Sequence, residues 1–362
     1  MGASAACVLA RRGARVVAID RHAPGHDRGS SHGESRAFRL AYFEHPSYVP
    51  LLRRSYELWR DIETASGTKL VHLTGIAEMG PPDGVLVKGV LASAIAHKLR
   101  HEVLTANELM HRFPAFHLPP QYVSVMQPDG GFVDAEPSIH TMLALARDAG
   151  AEVHVGERIR GIEPYAGGVR IVTDVGTFDA GAAIVAVGPW LKSLLPDFPA
   201  PIRVTRQAMA WFAPSEPAQL ANGRFTAFLI ESRHGIHYGF PLDGRGRIKV
   251  AKHHHDDEMV DPDDHDREVS TADDALIRAA IADHLPAANG RRLEGKTCLY
   301  TVTPDGDFIV DRLPAWPQVI VASPCSGHGF KLAPVIGEIL ADLATDGTTR
   351  HDIGRFSLGR FG

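Results

Sequence analysis

Near the carboxyl end, Ser326-Gly327-His328-Gly329-Phe330-Lys331 follows a short apolar stretch, Val319 to Ala322, that reads as a strand. Beyond it, Leu332, Val335, Ile336, Ile339, Leu340 and Leu343 recur at the spacing of a buried helical face, and Pro334 is tolerated in its first turn. A glycine turn thus carries the chain from a strand into a helix N-terminus, where free N–H groups favour negative charge. Ending on Lys331, the turn is a candidate site for an anion, and the reduced ring of a flavin, charged around N1 and O2, is one such anion. Tight packing alone would also account for the two glycines.

The other end of the chain carries half of a second signal. Gly2 to Arg12 is rich in small residues, Gly13 stops it, and Val16-Val17-Ala18-Ile19 runs to Asp20. Helix, turn, strand and acid in that order match a dinucleotide-binding unit: its last glycine brings helix and sheet close, and an acid about 20 residues on takes the ribose hydroxyl. The first strand and first two glycines of such a unit do not precede Gly2, so the chain as read is expected to start inside it. The blander reading is an ordinary helix and strand of an α/β protein.

Composition narrows the class. At 362 residues with 44% apolar and 22% charged side chains and a net charge of -5, the chain suits two interlocking domains and calls for neither nucleic acid nor an anionic membrane. Cys7, Cys298 and Cys325 are scattered and odd in number, which fits a reducing, cytoplasmic setting better than a disulfide framework. The longest apolar runs, such as Ala182 to Val187, fall far short of a membrane span. The N-terminus meets Arg11 and Arg12 too early for a signal peptide, and Ala6 stands where myristoylation wants Ser or Thr. His253-His254-His255-Asp256-Asp257, with His265 and Asp266, has ligand-type residues but no metal-site spacing, so no metal is expected. Adjacent histidines in an extended strand would also face opposite ways, and a solvated loop with His253 alone turned inward is the expectation.

The elements that would hold these groups alternate discontinuously. Tyr48 to Ile62 and Glu136 to Ala149 read as amphipathic helices, with Asp134 before the second and Gly150 after it. Glu152 to Val155 is a strand, Gly168 to Ala180 a hairpin around Asp174 to Gly176, and Ala182 to Val187 a buried parallel strand ended by Gly188-Pro189-Trp190. The fold class expected is α/β: a FAD-binding Rossmann-like domain (residues 1–64, 130–203 and 299–362) with an antiparallel-sheet substrate domain (residues 65–129 and 204–298).

A family likeness rests on three separated segments: Gly29-Ser30-Ser31-His32-Gly33-Glu34-Ser35-Arg36-Ala37-Phe38-Arg39-Leu40-Ala41-Tyr42, then Lys296-Thr297-Cys298-Leu299-Tyr300 with Thr303-Pro304-Asp305, then Ser326 to Lys331. In order and spacing they resemble the monomeric sarcosine oxidase and N-methyltryptophan oxidase family, FAD-dependent amine oxidases of the D-amino acid oxidase class. The resemblance implies FAD attached by an 8α-thioether to Cys298; on its own, Cys298 reads as a small buried hydrophobe. It implies Arg39 and Lys331 on the substrate carboxylate, Arg36 beside the flavin, and Tyr238, His253 and Tyr300 along the substrate pocket. It also places Gly2, Asp20, Arg21, Ser30, His32, Arg36, Ile159, Gly188, Gly327, Gly329 and Lys331 against the cofactor. Lys249, in Arg247-Ile248-Lys249-Val250, matches the family lysine where oxygen reacts, although a lone lysine in an apolar alternation otherwise reads as an edge-strand charge.

The implied reaction is the oxidation by oxygen of an N-methyl or secondary α-amino acid, giving aldehyde, amine and hydrogen peroxide, in a monomer whose partners are small molecules. Cys325 stands where relatives carry a larger apolar residue, which keeps N-methyltryptophan and cyclic imino acids open as substrates. A dehydrogenase with noncovalent FAD and a truncated, non-catalytic binding remnant are the alternatives.

Overall fold

The computed structural model describes residues 1–323 and 325–362. Helix α1 (Gly2–Arg11) turns at Gly13 into β1 (Val17–Asp20), and a long loop leads to β2 (Ser35–Phe38). Helix α2 (Val49–Ser66), β3 (Val71–His72), β4 (Ile76–Gly80), α3 (Val85–Ala96), β5 (Glu102–Thr105), α4 (Ala106–Arg112), β6 (Val123–Gln127) and β7 (Gly131–Asp134) follow. The chain then returns through α5 (Ala135–Asp148) and β8 (Glu152–Val155) to a meander of β9 (Ile159–Tyr165), β10 (Gly168–Thr173) and β11 (Thr177–Ala180). After β12 (Ala183–Val185) and α6 (Leu191–Leu194) come β13 (Arg203–Phe212), α7 (Pro217–Leu220), β14 (Ala227–Ser232), β15 (Gly235–Gly239), β16 (Ile248–Lys252) and α8 (Thr271–His284). Strands β17 (Arg292–Val302), β18 (Val310–Leu313) and β19 (Trp316–Ala322) and helix α9 (Ala333–Thr345) complete the order.

Two parallel pairings define the first layer, β1 with β8 and β12 with β19, the latter also paired antiparallel to β18. Helix α1 packs on both α5 and α9. Its small residues allow this: Ser4 lies so close to α9 that a Cβ at Gly337 would run into it. The apolar stripe of α9 is buried as its spacing predicts, through Val335, Ile336, Ile339, Leu340 and Leu343. The expected strand Ala182 to Val187 is shorter than its apolar run, and of β12 only Val185 is buried. The expected hairpin is β10 with β11, extended by β9.

A mixed sheet ordered β17-β13-β16-β15-β14-β4-β6-β5 forms the second layer. Its pairings are antiparallel except for β4 with β14. Strand β16 lies between β13 and β15, so Lys249 is an interior residue and not the edge charge that its isolation in an apolar run suggests.

Candidate active site

The segment Gly29–Ser35 is clasped onto β17. Leu299 N–H donates to Gly29 O at 3.3 Å, Ser30 Oγ donates to Leu299 O at 2.5 Å, and His32 Nε2 lies 2.7 Å from Thr297 O. These contacts bracket Cys298, which is buried opposite Gln207 of β13. Burial pushes its thiol up, while the Arg36 and Lys249 charges pull it back down.

The same loop is strained at Gly33 (φ 99°) and Glu34 (φ 69°), both in the left-handed region that side chains avoid. Two anchors hold it there. Gly33 and Glu34 N–H groups donate to the Glu136 carboxylate of α5 at 2.7 and 3.0 Å, and the Glu34 carboxylate accepts from Arg247 at 2.8 Å and from Trp211 Nε1 at 3.0 Å. Lys249 reaches up from β16 and donates to Gly33 O at 2.5 Å and Ser35 O at 2.7 Å. Burial, aided by the nearby Arg36, holds its ammonium well below the usual lysine range. Arg36 in turn donates to Ser35 O at 3.0 Å, Ser30 O at 3.1 Å and His32 O.

Beyond β2 the chain brings Arg39 and Lys331 to one aromatic ring. The Arg39 guanidinium lies 4.3 Å from the Tyr42 centroid, and Lys331 Nζ lies 5.0 Å from that centroid and donates to Tyr42 Oη at 3.2 Å and His328 O at 2.8 Å. Arg39 is 2% exposed. Its Nη2 donates to both Glu44 oxygens at 2.8 and 3.0 Å, and its Nε stands 3.5 Å from Glu78 Oε1, too long and poorly aimed for a hydrogen bond. Its Nη1 has no partner among the described residues. A buried guanidinium edge without an acceptor is costly and suits a ligand that brings one. Burial lowers the Lys331 ammonium to about 7, with Arg39 adding to the effect. Burial acts upward on both acids: Glu44 is nonetheless brought down to about 2 by Arg39, His328 and Lys331, while Glu78 rises to about 7.

Tyr238, Tyr300 and His253 make an adjoining wall. His253 Nδ1 lies 3.3 Å from Tyr300 Oη, and burial holds His253 well below its usual value, so it is neutral there. Burial lifts Tyr238 to about 12 and Tyr300 well above its usual value. Gly327 (φ 80°) abuts this wall, and a Cβ on it would enter the Tyr300 ring. Gly329 packs on the Cys325 side chain, where a Cβ would approach Sγ at 2.9 Å. The inward histidine of the 253–257 segment is not His253 alone. The strand ends at Lys252, His254 takes φ 52°, and His255 is the buried ring, 2.9 Å from Asp273, which also pairs with Arg206.

A second group of sequence-predicted residues gathers at the carboxyl ends of the parallel strands, the usual ligand side of such sheets. Asp20 ends β1, Ile159 follows β8, and Gly188 (φ 55°) follows β12. A Cβ on Gly2 would meet only Ala186, at 3.7 Å. Arg21 stacks 4.3 Å from the Trp190 ring and pairs with Asp263, which also accepts from Trp190 Nε1 at 2.8 Å. Trp190 bridges the two groups, since it lies beneath Gly29, where a Cβ would stand 3.6 Å from its ring.

This arrangement fits a flavin dinucleotide: a polar end at the strand termini, and a ring end where a thiol, two cations and His32 converge. His32 Nδ1 is buried without a partner among the described residues, and burial holds the ring neutral at about 4, leaving one nitrogen free for a bound group. Residues 1–343 match the family of FAD dependent oxidoreductases abbreviated DAO. The chain belongs to that family. Monomeric sarcosine oxidase of Streptomyces avermitilis is 41% identical over 367 residues, covering 98% of this chain and 94% of that one. N-methyl-L-tryptophan oxidase of Salmonella enteritidis is 34% identical over 362 residues, covering 100% and 96%. Among solved structures, the open form of NikD, an unusual amino acid oxidase essential for nikkomycin biosynthesis, aligns with TM-score 0.85 at 27% identity, covering 98% and 94%. L-Proline dehydrogenase from P. horikoshii shares the fold, with TM-score 0.85 at 20% identity over 99% and 94% of the two chains. No helix among the described residues of this FAD-dependent oxidoreductase is long and apolar enough to cross a membrane.

Sequence reading missed Glu44, Glu78, Gln127 and Trp190. Glu78 alone carried a local signal, an acid inside the apolar run Ile76 to Met79.

Proposed function

We propose that the protein oxidises N-methyl or other secondary α-amino acids with oxygen, giving aldehyde, amine and hydrogen peroxide, with FAD tethered by a thioether to Cys298. The observation that carries this reading is the Arg39–Tyr42–Lys331 cluster, a buried cationic seat with one guanidinium edge unpartnered among the described residues. Bound flavin supplies the two-electron oxidation of the C–N bond. The chain's own residues then have definable tasks. Arg39 and Lys331 receive the carboxylate and fix the substrate's orientation, and Tyr238, Tyr300 and neutral His253 wall the amine end. Arg36 and Lys249 place positive charge around Cys298, where a reduced ring would be anionic. Gly2, Asp20, Arg21, Ile159 and Gly188 take the dinucleotide end, and Ser30, His32, Gly327 and Gly329 the ring end. Residues 1–64, 130–203 and 299–362 form the cofactor-binding part and 65–129 and 204–298 the substrate part of a cytoplasmic monomer.

Peroxide formation will test the seat. The FAD-loaded enzyme is expected to turn over sarcosine, N-methyltryptophan or proline with kcat/KM at least about a hundredfold above that for N-methylethylamine, which lacks the carboxylate. Equal rates would remove the cationic seat from the reaction. A separate outcome is expected for Lys249. Replacing it by methionine leaves anaerobic flavin reduction within about threefold but slows reoxidation by oxygen at least about tenfold, because a positive group beside the ring is lost. Stopped-flow absorbance of the two half-reactions checks this.

A further inference from the structure

Glu78 is fully buried on β4, with Leu229 of β14 and Val125 of β6 as its cross-strand neighbours. Its polar surroundings come from other elements: the Gln127 amide of β6, which donates to Oε2, Arg39 and Glu44 from the segment after β2, and Lys331 from the turn before α9. Oε1 has no hydrogen bond among the described residues. Gln127 is itself fixed, its Oε1 accepting from Leu40 and Ala41 N–H groups at 3.2 and 2.7 Å, so it serves as a brace between β6 and the Arg39 segment.

The enclosure thus holds two cations, Arg39 and Lys331, and two acids, Glu44 and Glu78. The acids are unequally held. Glu44 receives Arg39 Nη2 on both oxygens, whereas Glu78 has one amide donor and a 3.5 Å approach from Arg39 Nε. A substrate carboxylate would be a third negative charge in a space that charges leave only at high cost. The charge most cheaply removed is the one with fewest donors, and a proton on Glu78 restores balance while leaving both cations to the ligand.

We propose that Glu78 is a positioning residue that takes up a proton as the substrate carboxylate binds, so that occupation of the Arg39–Lys331 seat is proton-linked. The inference rests on that seat being the carboxylate site. Ionised Glu78 competes with the ligand for Arg39, and protonated Glu78 does not. Its elevated proton affinity accords with this, as burial already favours the neutral acid. Lys331, lowered by the same burial, also weakens anion binding as pH rises, so the carboxyl must be read separately.

Methoxyacetate, a sarcosine isostere without a titrating amine, is the probe, bound to the FAD-loaded enzyme and followed by calorimetry from pH 6 to 8.5. Glu78→Gln is expected to leave Kd within about twofold at pH 6 and to tighten it about tenfold at pH 8.5, where the wild-type acid is ionised before binding. Infrared difference spectra at pH 8 should show a protonated-carboxyl band gained on binding by the wild type and not by E78Q. Parallel Kd profiles for the two proteins, with binding still lost in Arg39→Met, would overturn the role of Glu78 alone. Absence of that band in the wild type would overturn it whatever the variant's folding. Binding of methoxyacetate to R39M at wild-type affinity would bring down the carboxylate seat, and Glu78's role with it.

Discussion

Cys298→Ser will release all of its flavin on acid precipitation, whereas the wild type will keep it with the protein pellet. The substitution is close to isosteric and the strand is held by neighbours that do not change: Ser30 and His32 bond to the backbone of Leu299 and Thr297, and β13 pairs along the whole of β17. The fold therefore survives and FAD still binds. What disappears is the nucleophile. A thiolate bonds to carbon far more readily than a hydroxyl, and Arg36 and Lys249 supply the charge that favours thiolate against the burial opposing it. Loss of the tether lets the ring shift relative to Arg39 and Lys331, and a displacement of about 1 Å costs on the order of a hundredfold in turnover. Turnover in FAD-saturated buffer should fall by about that factor. Unextractable flavin in C298S at the wild-type level would show that another residue carries the bond.

The prediction exposes the difference between what local pattern carries and what it does not. Helix α9 and its glycine turn were legible because burial of a helix writes a periodic apolar stripe, and α1 with β1 because close packing writes small residues. The roles proposed for Cys298 and Lys249 are not legible from their neighbours. A buried cysteine and a lysine in an apolar strand each look ordinary alone, and only likeness to a family marked them. Lys249 owes its place to two backbone carbonyls on a loop more than 200 residues away in sequence, presented by the left-handed turn at Gly33 and Glu34. No spacing rule predicts such a turn at glutamate, because it is held by Arg247, Trp211 and Glu136. His255 is hidden from local reading for a related reason: it lies beyond the end of β16, and its burial comes from Asp273 of α8. Glu78 stood out as an acid among apolar residues, yet its meaning comes from Arg39, Gln127 and Lys331, which three other elements deliver.

Arg39→Met should lower kcat/KM for a carboxylate substrate about a thousandfold, mostly through KM. Removing one member of a buried charge pair typically costs about 2–5 kcal/mol, and a thousandfold is roughly 4. Lys331 remains, but its ammonium is weakened by burial and lacks the two-pronged geometry of a guanidinium. The same substitution strips Glu44 of the Nη2 group that donates to both its oxygens, and this gives a second readout independent of turnover. In the wild type Glu44 is held to about 2 when folded, below its unfolded value, so its contribution to stability is present above the unfolded carboxylate pKa and is lost as pH falls toward 2. Without Arg39 the burial that pushes Glu44 upward is unopposed by its main partner, and ionised Glu44 becomes a cost at neutral pH. Denaturant midpoints should therefore rise from pH 3 to pH 6 in the wild type and rise less in R39M, where Asp273 and Glu338 still contribute but Glu44 no longer does. A variant whose KM and stability profile both match the wild type would show that Arg39 binds neither substrate nor Glu44 in a way that matters. A changed stability profile with an unchanged KM would leave Arg39 a partner of Glu44 and move the carboxylate seat elsewhere.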